Sequence, residues 1–365
     1  MDTVQDRRVG RVVPGSDSVL SSKTKMPLTV RSADLSRDRS SLLGALESYL
    51  GVPNCPDRFD WLYLQGAFGQ ARALLLTDEA QNNVVGVAAL FPRSFKASGK
   101  TLHGCVLGDF CLSPSWRSLG PGLQLQRACL EELSNGSLEV AYDFPSAGMQ
   151  AIYERLGFIP QAEMVRLARP LRVDQKIQEH VRFAPLGAAL AGIGNKLLHA
   201  KDALSRKKAE DSASVYEGEI GEEFTELANR MGARPQLSVY RTAAYLKWRF
   251  REHPYRKYGF ITLRRAEMLT AYLVYSADEN QLCIADIYGE YHPASMAALI
   301  NAAVEVGRAL KSETLSVSLL KGHPWVELLK GIGFYEREAR PVLICKAHPA
   351  TSREQWFLTD GDRES

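Results

Sequence analysis

The sequence has no long apolar run, which argues against a membrane-spanning helix. None of its stretches approaches the roughly 18 uncharged apolar residues that such a helix needs. Charge of one sign is not in excess either, since 45 basic side chains face 42 acidic ones. We therefore expect no nucleic-acid partner. Arg7, Arg8 and Arg11 lie near the N-terminus, but no apolar signal core follows them.

Paired metal-ligand motifs are also absent. The six cysteines include no Cys-x-x-Cys pair, and the seven histidines include no His-x-x-x-His pair. We therefore expect neither a structural zinc ion nor a catalytic metal. Cysteines without such pairing are typical of a reduced protein, so the sequence predicts a cytoplasmic location.

The 365 residues suffice for two domains of ordinary size, and hydropathy patterning divides them in that way. Residues 27–175 show strand patterns followed by a strand–helix–strand–helix order, which predicts a mixed α/β domain. Residues 216–347 end in the same order. Residues 1–26 are polar and are predicted to be a disordered tail, and residues 348–365 a C-terminal tail.

Two short motifs recur in both domains, in the same order and at nearly the same spacing. Trp61 has a counterpart in Trp248, each followed by an aromatic residue two positions later, and Gly157-Phe158 has one in Gly333-Phe334. An internal duplication explains this recurrence better than chance.

The segment between the domains, residues 176–215, is predicted to be a helical linker with a basic character. Two interpretations of its apolar stripe stay open. The helix could pack across both domains, or residues 186–208 could form a basic amphipathic helix that touches an anionic membrane surface.

The segment that indicates chemistry follows a strand that ends near Leu112. A loop with Arg117, Gly120 and Gly122 leads into a helix predicted to begin at Pro121 or Gly122. Glycines allow close approach to the backbone, and a helix N-terminus and an arginine both favour a negative charge. The spacing fits neither a P-loop nor a dinucleotide fingerprint. This loop predicts a site for a phosphate or pyrophosphate.

The spacing Arg117-x-x-Gly120-x-Gly122, after a strand and before a helix, resembles motif A of the GNAT (GCN5-related) acetyltransferases. Downstream, Tyr153-Glu-Arg-Leu-Gly157-Phe158 resembles the end of their motif B. The resemblance covers residues 28–172 well and 216–347 more weakly. It implies an α/β (α+β mixed sheet) fold with two GNAT-like acyl-CoA N-acyltransferase domains in tandem, joined by the helical linker. Tandem GNAT proteins of bacteria and the FemAB-like aminoacyltransferases share this doubled plan.

The resemblance implies an N-acyltransferase that moves an acyl group from acetyl-CoA or another acyl-CoA to a primary amine. The acceptor stays open between small molecules, amino sugars and peptide or lysine amines. The cofactor-binding residues that it implies in this chain are Phe110, Cys111, Leu112, Arg117, Ser118, Leu119, Gly120, Gly122 and Leu123.

Direct attack on the thioester needs a base for the amine and an acid for the leaving thiolate. By resemblance, Tyr153 is the candidate acid. Asp109 is a candidate base because it lies on the strand beside the cofactor loop. Asp143 is a candidate base or acceptor ligand because it lies at the end of the next strand.

The sequence departs from the family pattern in two ways, which keep other functions open. Pro121 removes one amide donor from the loop. The second domain has no equivalent loop, so we expect one cofactor site, in the first domain. The alternatives are a FemAB-like aminoacyltransferase that uses aminoacyl-tRNA in cell-envelope synthesis, and a non-catalytic CoA-binding scaffold.

Overall fold

A mixed β-sheet of fourteen strands runs through the residues that the computed structural model describes, which are 28–52, 56–135, 138–172, 212–290, 292–346 and 355–364. The predicted mixed α/β class is confirmed. The strands are β1 (Leu28–Ser32), β2 (Arg72–Asp78), β3 (Asn83–Ala97), β4 (Lys100–Leu112), β5 (Val140–Asp143), β6 (Ala162–Pro170), β7 (Ser212–Tyr216), β8 (Leu237–Val239), β9 (Gly259–Arg265), β10 (Met268–Asp278), β11 (Gln281–Gly289), β12 (Thr314–Leu320), β13 (Tyr335–Lys346) and β14 (Trp356–Phe357).

Eight α-helices in these ranges accompany the sheet, and three of them continue into a π-helical turn. They are α1 (Arg39–Ala45, continued by Leu46–Leu50), α2 (Pro56–Phe59, continued by Asp60–Leu64), α3 (Leu119–Asn135), α4 (Ala147–Arg155), α5 (Glu222–Gly232), α6 (Ala243–Leu246, continued by Lys247–Arg251), α7 (Pro293–Ala309) and α8 (Pro324–Gly331).

The two halves of the sheet have the same arrangement of strands, because the sequence of parallel and antiparallel pairs is identical from either edge. Twelve strands follow the order β1-β2-β3-β4-β5-β13-β6-β12-β11-β10-β9-β7, while β8 and β14 pair beside this path. The pairs β4·β5 and β11·β12 are parallel, and the other pairs along the path are antiparallel. Each strand of one half therefore has a counterpart in the other.

The two halves exchange strands at the centre of the sheet. β6, from the first half of the chain, lies between β12 and β13 of the second half. In return, β13 pairs with β5 through Leu343 and Asp143. The predicted segments 27–175 and 216–347 thus share one continuous sheet, and the description of the second as a separate GNAT-like domain stays a prediction.

Trp61 and Trp248, which were paired from the sequence, form a contact with local two-fold symmetry. Their rings stack with centroids 5.0 Å apart. The indole N–H of Trp61 donates to the carbonyl oxygen of Trp248 at 2.8 Å, and that of Trp248 donates to the carbonyl oxygen of Trp61 at 2.9 Å. Each buried N–H therefore finds its partner on the opposite half, which fastens the halves together.

The C-terminal prediction is wrong for residues 355–364, which are packed into the core rather than extending from it as a tail. Trp356, Phe357 and Leu358 are buried. Arg241, itself 1% exposed, donates to the Asp362 carboxylate at 2.8 Å and to that of Asp286 at 3.0 Å. These buried ion pairs tie the C-terminal segment to the second half of the sheet.

The N-terminal tail (1–26), the linker to residue 211 and its basic stretch 186–208 lie outside the described residues. The linker prediction is wrong at its end, because 212–216 form β7, paired antiparallel with β9. Among the residues described, no helix is long and apolar enough to cross a bilayer.

Candidate active site

An opening forms where β4 separates from β5. The two strands pair in parallel only from Gly104 to Val106 on the β4 side. A β-bulge follows at Asp109, whose backbone φ is +49°, and it shifts the register of β4 against β3. A bulge bends its strand and interrupts regular pairing. The splayed end of β4 therefore leaves a gap beside β5.

A cavity of about 420 Å³ occupies this region. Six of the nine predicted cofactor-binding residues line it, in two groups, Phe110–Leu112 from β4 and Arg117–Leu119 from the following loop. The remaining lining residues are Tyr49, Ser146, Gly148, Met149 and Ile152. The structure therefore brings these predicted residues together around one space.

The first turn of α3 faces the same loop. The helix begins at Leu119, two residues earlier than the first of the predicted starts. The first amides of a helix have no partner within it, so those of Leu119 and Gly120 are suited to an anion, whereas Pro121 has none to offer. A Cβ on Gly120 would have no heavy atom within 4 Å, so this glycine leaves open space.

Gly122 and Leu123 serve packing instead of lining the cavity. A Cβ on Gly122 would lie 2.8 Å from Cδ1 of Ile152, so the glycine allows α3 to approach α4 closely. Leu123 packs in the small apolar cluster around Tyr153. These two predicted residues support the cavity from behind.

Arg117 is exposed, and its guanidinium group holds the loop against its surroundings. Its Nη2 donates to the carbonyl oxygen of Tyr49 at 3.1 Å and to that of Leu112 at 3.4 Å. The arginine thus connects α1, the end of β4 and the loop, in addition to placing a positive charge at the cavity.

Tyr153 and Asp143, both predicted as catalytic, meet beneath α4. The Tyr153 hydroxyl donates to the Asp143 carboxylate at 2.6 Å and accepts from Nε2 of Gln126 at 2.9 Å. Burial raises the pKa of Asp143 to about 7, and burial together with Asp143 raises the pKa of Tyr153 well above its usual value. Tyr153 therefore keeps its proton at neutral pH, as a general acid must.

The structure removes Asp109 from the role of a free base. Its carboxylate accepts two hydrogen bonds of 2.8 Å from Arg58 and a third of 2.8 Å from the Tyr63 hydroxyl. The bulge with positive φ turns this side chain into the ion pair, which simple strand alternation could not predict. Asp109 is a structural anion beside the opening.

Glu364, which sequence reasoning missed, reaches the opening from the C-terminus. A Cβ on Gly108 of β4 would lie 2.6 Å from Cγ of Glu364, so the two residues are in contact. The buried Oε2 of Glu364 has no hydrogen-bond partner among the described residues. Burial raises the pKa of Glu364, and the nearby Asp109 adds to the effect. It is a carboxyl group with a free oxygen.

Glu364 and Tyr153 approach β5 from opposite faces of the sheet. Tyr142 donates its hydroxyl hydrogen to the carbonyl oxygen of Asp362 at 2.6 Å, which places the C-terminal segment on the Tyr142 side. Asp143, the next residue in the strand, bonds Tyr153. Because neighbouring side chains of a strand point to opposite faces, the two groups lie on either side of the opening.

Cys111 lines the cavity as a thiol, not a thiolate. Burial raises its pKa to about 12. A nucleophilic cysteine needs a lowered pKa, so a covalent acyl-cysteine step is disfavoured. In the part of the chain that is described, no group of three or more His, Cys, Asp or Glu side chains could hold a metal ion.

The missed residues differ in how far the sequence could have indicated them. Arg58 and Tyr63 flank the recognised Trp61 motif, but nothing in the sequence connects them to Asp109. Gln126 lies three residues before Cys129 on the buried side of α3. For Glu364, the available signal was the aromatic pair Trp356-Phe357, which indicates a packed C-terminus.

Comparison with known proteins agrees with this geometry. Residues 43–158 match the family model described as "Acetyltransferase (GNAT) family". This match spans α1 to α4, including the opening and the α3 loop. No curated protein sequence matches the chain.

Solved structures with the same fold include GCN5-related N-acetyltransferases from two bacteria. The one from Anabaena variabilis aligns with a TM-score of 0.64 at 11% identity, over 87% of this chain and 72% of its own. The one from Kribbella flavida has a TM-score of 0.57 at 15% identity, over 87% of this chain and 71% of its own. A probable N-acyltransferase from Enterococcus faecalis has a TM-score of 0.61 at 11% identity, with 87% and 72% covered.

These likenesses extend over both halves of the sheet and show the fold. The sequence match covers the segment with the β4–β5 opening, the first turn of α3 and Tyr153. Residues 43–158 of this chain are therefore similar to the GNAT acetyltransferase family, within a fold shared with GCN5-related N-acetyltransferases.

Proposed function

We propose that this protein transfers an acyl group from acetyl-CoA or another acyl-CoA to a primary amine. The observation that carries the proposal is the cavity of about 420 Å³ at the point where β4 leaves β5 and the first turn of α3 begins. That arrangement combines an anion-binding helix end with an apolar channel.

The residues present fit an acyl-CoA. The amides of Leu119 and Gly120 and the charge of Arg117 suit its pyrophosphate group. Phe110 and Met149, which line the same cavity, suit its less polar arm. The open space beside Gly120 admits a phosphate close to the backbone.

Two protons must move during the transfer. The neutral amine forms a bond from its nitrogen to the thioester carbon, and the carbon–sulfur bond breaks. We assign the amine proton to the free carboxylate oxygen of Glu364, and the thiolate receives the proton of Tyr153. Asp143, with a pKa of about 7, is partly protonated at neutral pH and can return a proton to Tyr153 through their hydrogen bond.

Binding is tested by calorimetric titration of acetyl-CoA into the wild type, Gly120→Asp and Gly331→Asp. Gly331 is the matched control because a Cβ there also meets no heavy atom within 4 Å, at the end of α8. We expect binding to the wild type and to the control, and a loss of at least about tenfold in Gly120→Asp, because the added carboxylate repels phosphate. Failure of the wild type to bind acetyl-CoA would overturn the proposal.

The proton assignments are tested by acetyl transfer in Glu364→Gln and Tyr153→Phe. Each should lower kcat by about a hundredfold or more while acetyl-CoA affinity changes little, since general acid or base catalysis contributes about that much. Glu336→Gln, at an exposed position on β13, is the control. Unchanged kcat in either variant would exclude that residue as a proton carrier.

A scaffold that binds CoA without catalysis predicts a different pair of results. Such a protein would bind acetyl-CoA in a Gly120-dependent way and yet transfer no acetyl group to any amine. Measuring affinity and transfer on the same preparation therefore separates the two functions.

A further inference from the structure

A second cavity, of about 680 Å³, lies over the centre of the sheet, where the two halves meet. Strands from both halves and the C-terminal segment contribute to it. We call it the basic cavity, and its charged lining residues are Arg166, Arg256, Lys257, Asp278, Glu338, Arg340, Asp360 and Arg363.

Two of its three carboxylates are already neutralised within the cavity. Arg166 pairs with Glu338 at 3.3 Å, and Arg363 pairs with Asp360 at 3.2 Å. This leaves three further cations, Arg256, Lys257 and Arg340, and one further carboxylate, Asp278. The lining therefore carries a net positive charge.

The three further cations stand at an accessible wall of the cavity. Arg256, Lys257 and Arg340 are exposed, and none of them forms an ion pair within the described ranges. Tyr255, which also lines the cavity, is 54% exposed. A small anionic molecule could enter here without displacing a structural partner.

The basic cavity lies next to the proposed transfer centre. Asp360 and Arg363 line it, and Glu364, the residue that follows Arg363, contacts Gly108 in the β4–β5 opening. The Arg363 guanidinium also stacks over the ring of Phe144, 4.4 Å from its centroid, and Phe144 directly follows Asp143. The C-terminal segment therefore borders both spaces.

We propose that the basic cavity binds the amine acceptor, and that it selects acceptors that also carry a phosphate or carboxylate group. The anionic group lies among Arg256, Lys257 and Arg340, while the amine reaches toward Glu364. This proposal rests on the proposed function, since it names the acceptor class for that reaction.

The test compares matched amines that differ by one anionic group. Glucosamine 6-phosphate is paired with glucosamine, and lysine is paired with cadaverine. We expect the anionic member of at least one pair to bind about tenfold more tightly by calorimetry at low salt, with the preference reduced at high salt because the charges are exposed. The two pairs distinguish a phosphate from a carboxylate as the selected group.

Variants then locate the preference. The double variant Lys257→Gln/Arg340→Gln should abolish it, and Asp278→Asn should strengthen it by removing an opposing charge from the same cavity. Lys100→Gln, which removes one positive charge in the β3–β4 hairpin outside the cavity, should leave it unchanged. A preference that survives in the double variant would overturn the proposal.

The remaining outcomes are also decisive. Equal affinity within both pairs, or no binding of any of the four amines, overturns the basic cavity as an anionic-acceptor site. Displacement of the bound anionic amine by desulfo-CoA would mean that the cavity belongs to the cofactor, which also overturns it. Binding with the expected preference but without acetyl transfer leaves the site standing and contradicts only the proposed function.

Discussion

Asp143 is a buried carboxyl group whose ionisation is coupled to folding, and Asp143→Asn measures that coupling. Folding raises its pKa from 3.8 to about 7, with burial as the main cause. Between these two pH values, the folded chain binds a proton that the unfolded chain has released. Stability must therefore fall as the pH rises through this window and level off above it.

The magnitude follows from the same two values. A rise from 3.8 to about 7 corresponds to about 4 kcal/mol of lost stability at high pH, because each pKa unit is worth about 1.4 kcal/mol. About 3 kcal/mol of that loss falls between pH 5 and pH 8. Asparagine cannot ionise, so it escapes this loss and still offers an oxygen to Tyr153.

The assay is urea unfolding of the wild type and Asp143→Asn at several pH values between 5 and 8. Unfolding is monitored by tryptophan fluorescence in the absence of CoA. The difference between the two free energies of unfolding cancels groups that titrate equally in both. Glu364 and Arg363, whose charges also affect the pKa of Asp143, remain in both proteins. We expect Asp143→Asn to gain about 3 kcal/mol relative to the wild type across this range.

The variant Tyr153→Phe provides a further test of the pKa of Asp143. The hydrogen bond from Tyr153 lowers the pKa of Asp143 against the larger effect of burial. Tyr153→Phe should therefore move the midpoint of the pH dependence upward. A free-energy difference between the wild type and Asp143→Asn that is constant from pH 5 to pH 8 would refute the reasoning, because it would mean that Asp143 is ionised throughout.

Three further perturbations have definite expected results. Arg241→Met leaves two buried carboxylates without their cation and should cost about 3–5 kcal/mol in urea unfolding, and a loss below 1 kcal/mol would contradict the buried ion pairs. Gly122→Val should push on Ile152 and weaken acetyl-CoA binding, whereas Gly120→Ala, placed in open space, should change stability by no more than about 1 kcal/mol. Burial lowers the pKa of His323 to about 4, so stability should fall as the pH drops from 6.5 toward 4, and His323→Gln should lack that loss in acid urea titrations.

Local patterns in the sequence predicted the elements around the site. A helix was predicted to begin at Pro121 or Gly122, and α3 runs from Leu119 to Asn135. The glycine spacing of the preceding loop predicts an anion site, and Arg117, Ser118 and Leu119 of that loop line the cavity. Such features depend on neighbours in the chain, which is why their sequence carries the signal.

Pairing between strands that are distant in the chain was much harder to predict from the sequence. The first half of β13, from Tyr335 to Arg340, has four charged residues out of six and is exposed, so no apolar pattern marks it as a strand. Its partners, β5 and β6, lie more than 160 residues away along the chain. The exchange of β6 and β13 is therefore a tertiary property that no local periodicity could predict.

The regular alternation of side chains along a strand also could not predict the position of the Asp109 side chain. Regular alternation could assign a face to Asp109, but the bulge adds a residue to β4 and gives Asp109 a positive φ. Its carboxylate then meets Arg58 and Tyr63 instead of the cavity. Glu364 stands beside this ion pair, 255 residues later in the chain, where its role depends on how the C-terminus packs.

The C-terminal segment contacts equivalent strands, β4 and β11, in the two halves of the sheet, but it does so in different ways. β11 has a bulge next to Ala285, at the position that corresponds to Asp109, and its parallel pairing with β12 ends at Ile284. There, however, Thr359 bridges to Leu319 of β12, and Gly361 packs against the carbonyl oxygen of Ala285.

The C-terminal segment thus packs against the end of β11 in the second half, beside the basic cavity, which Ala285 also lines. Three residues beyond Gly361, Glu364 reaches the opening of the first half without filling the cavity of about 420 Å³ there. The second half also lacks the Arg117-x-x-Gly120-x-Gly122 spacing. Both observations favour a single acyl-CoA site, with the second half supplying a wall, a buried anchor in Arg241 and part of the basic cavity.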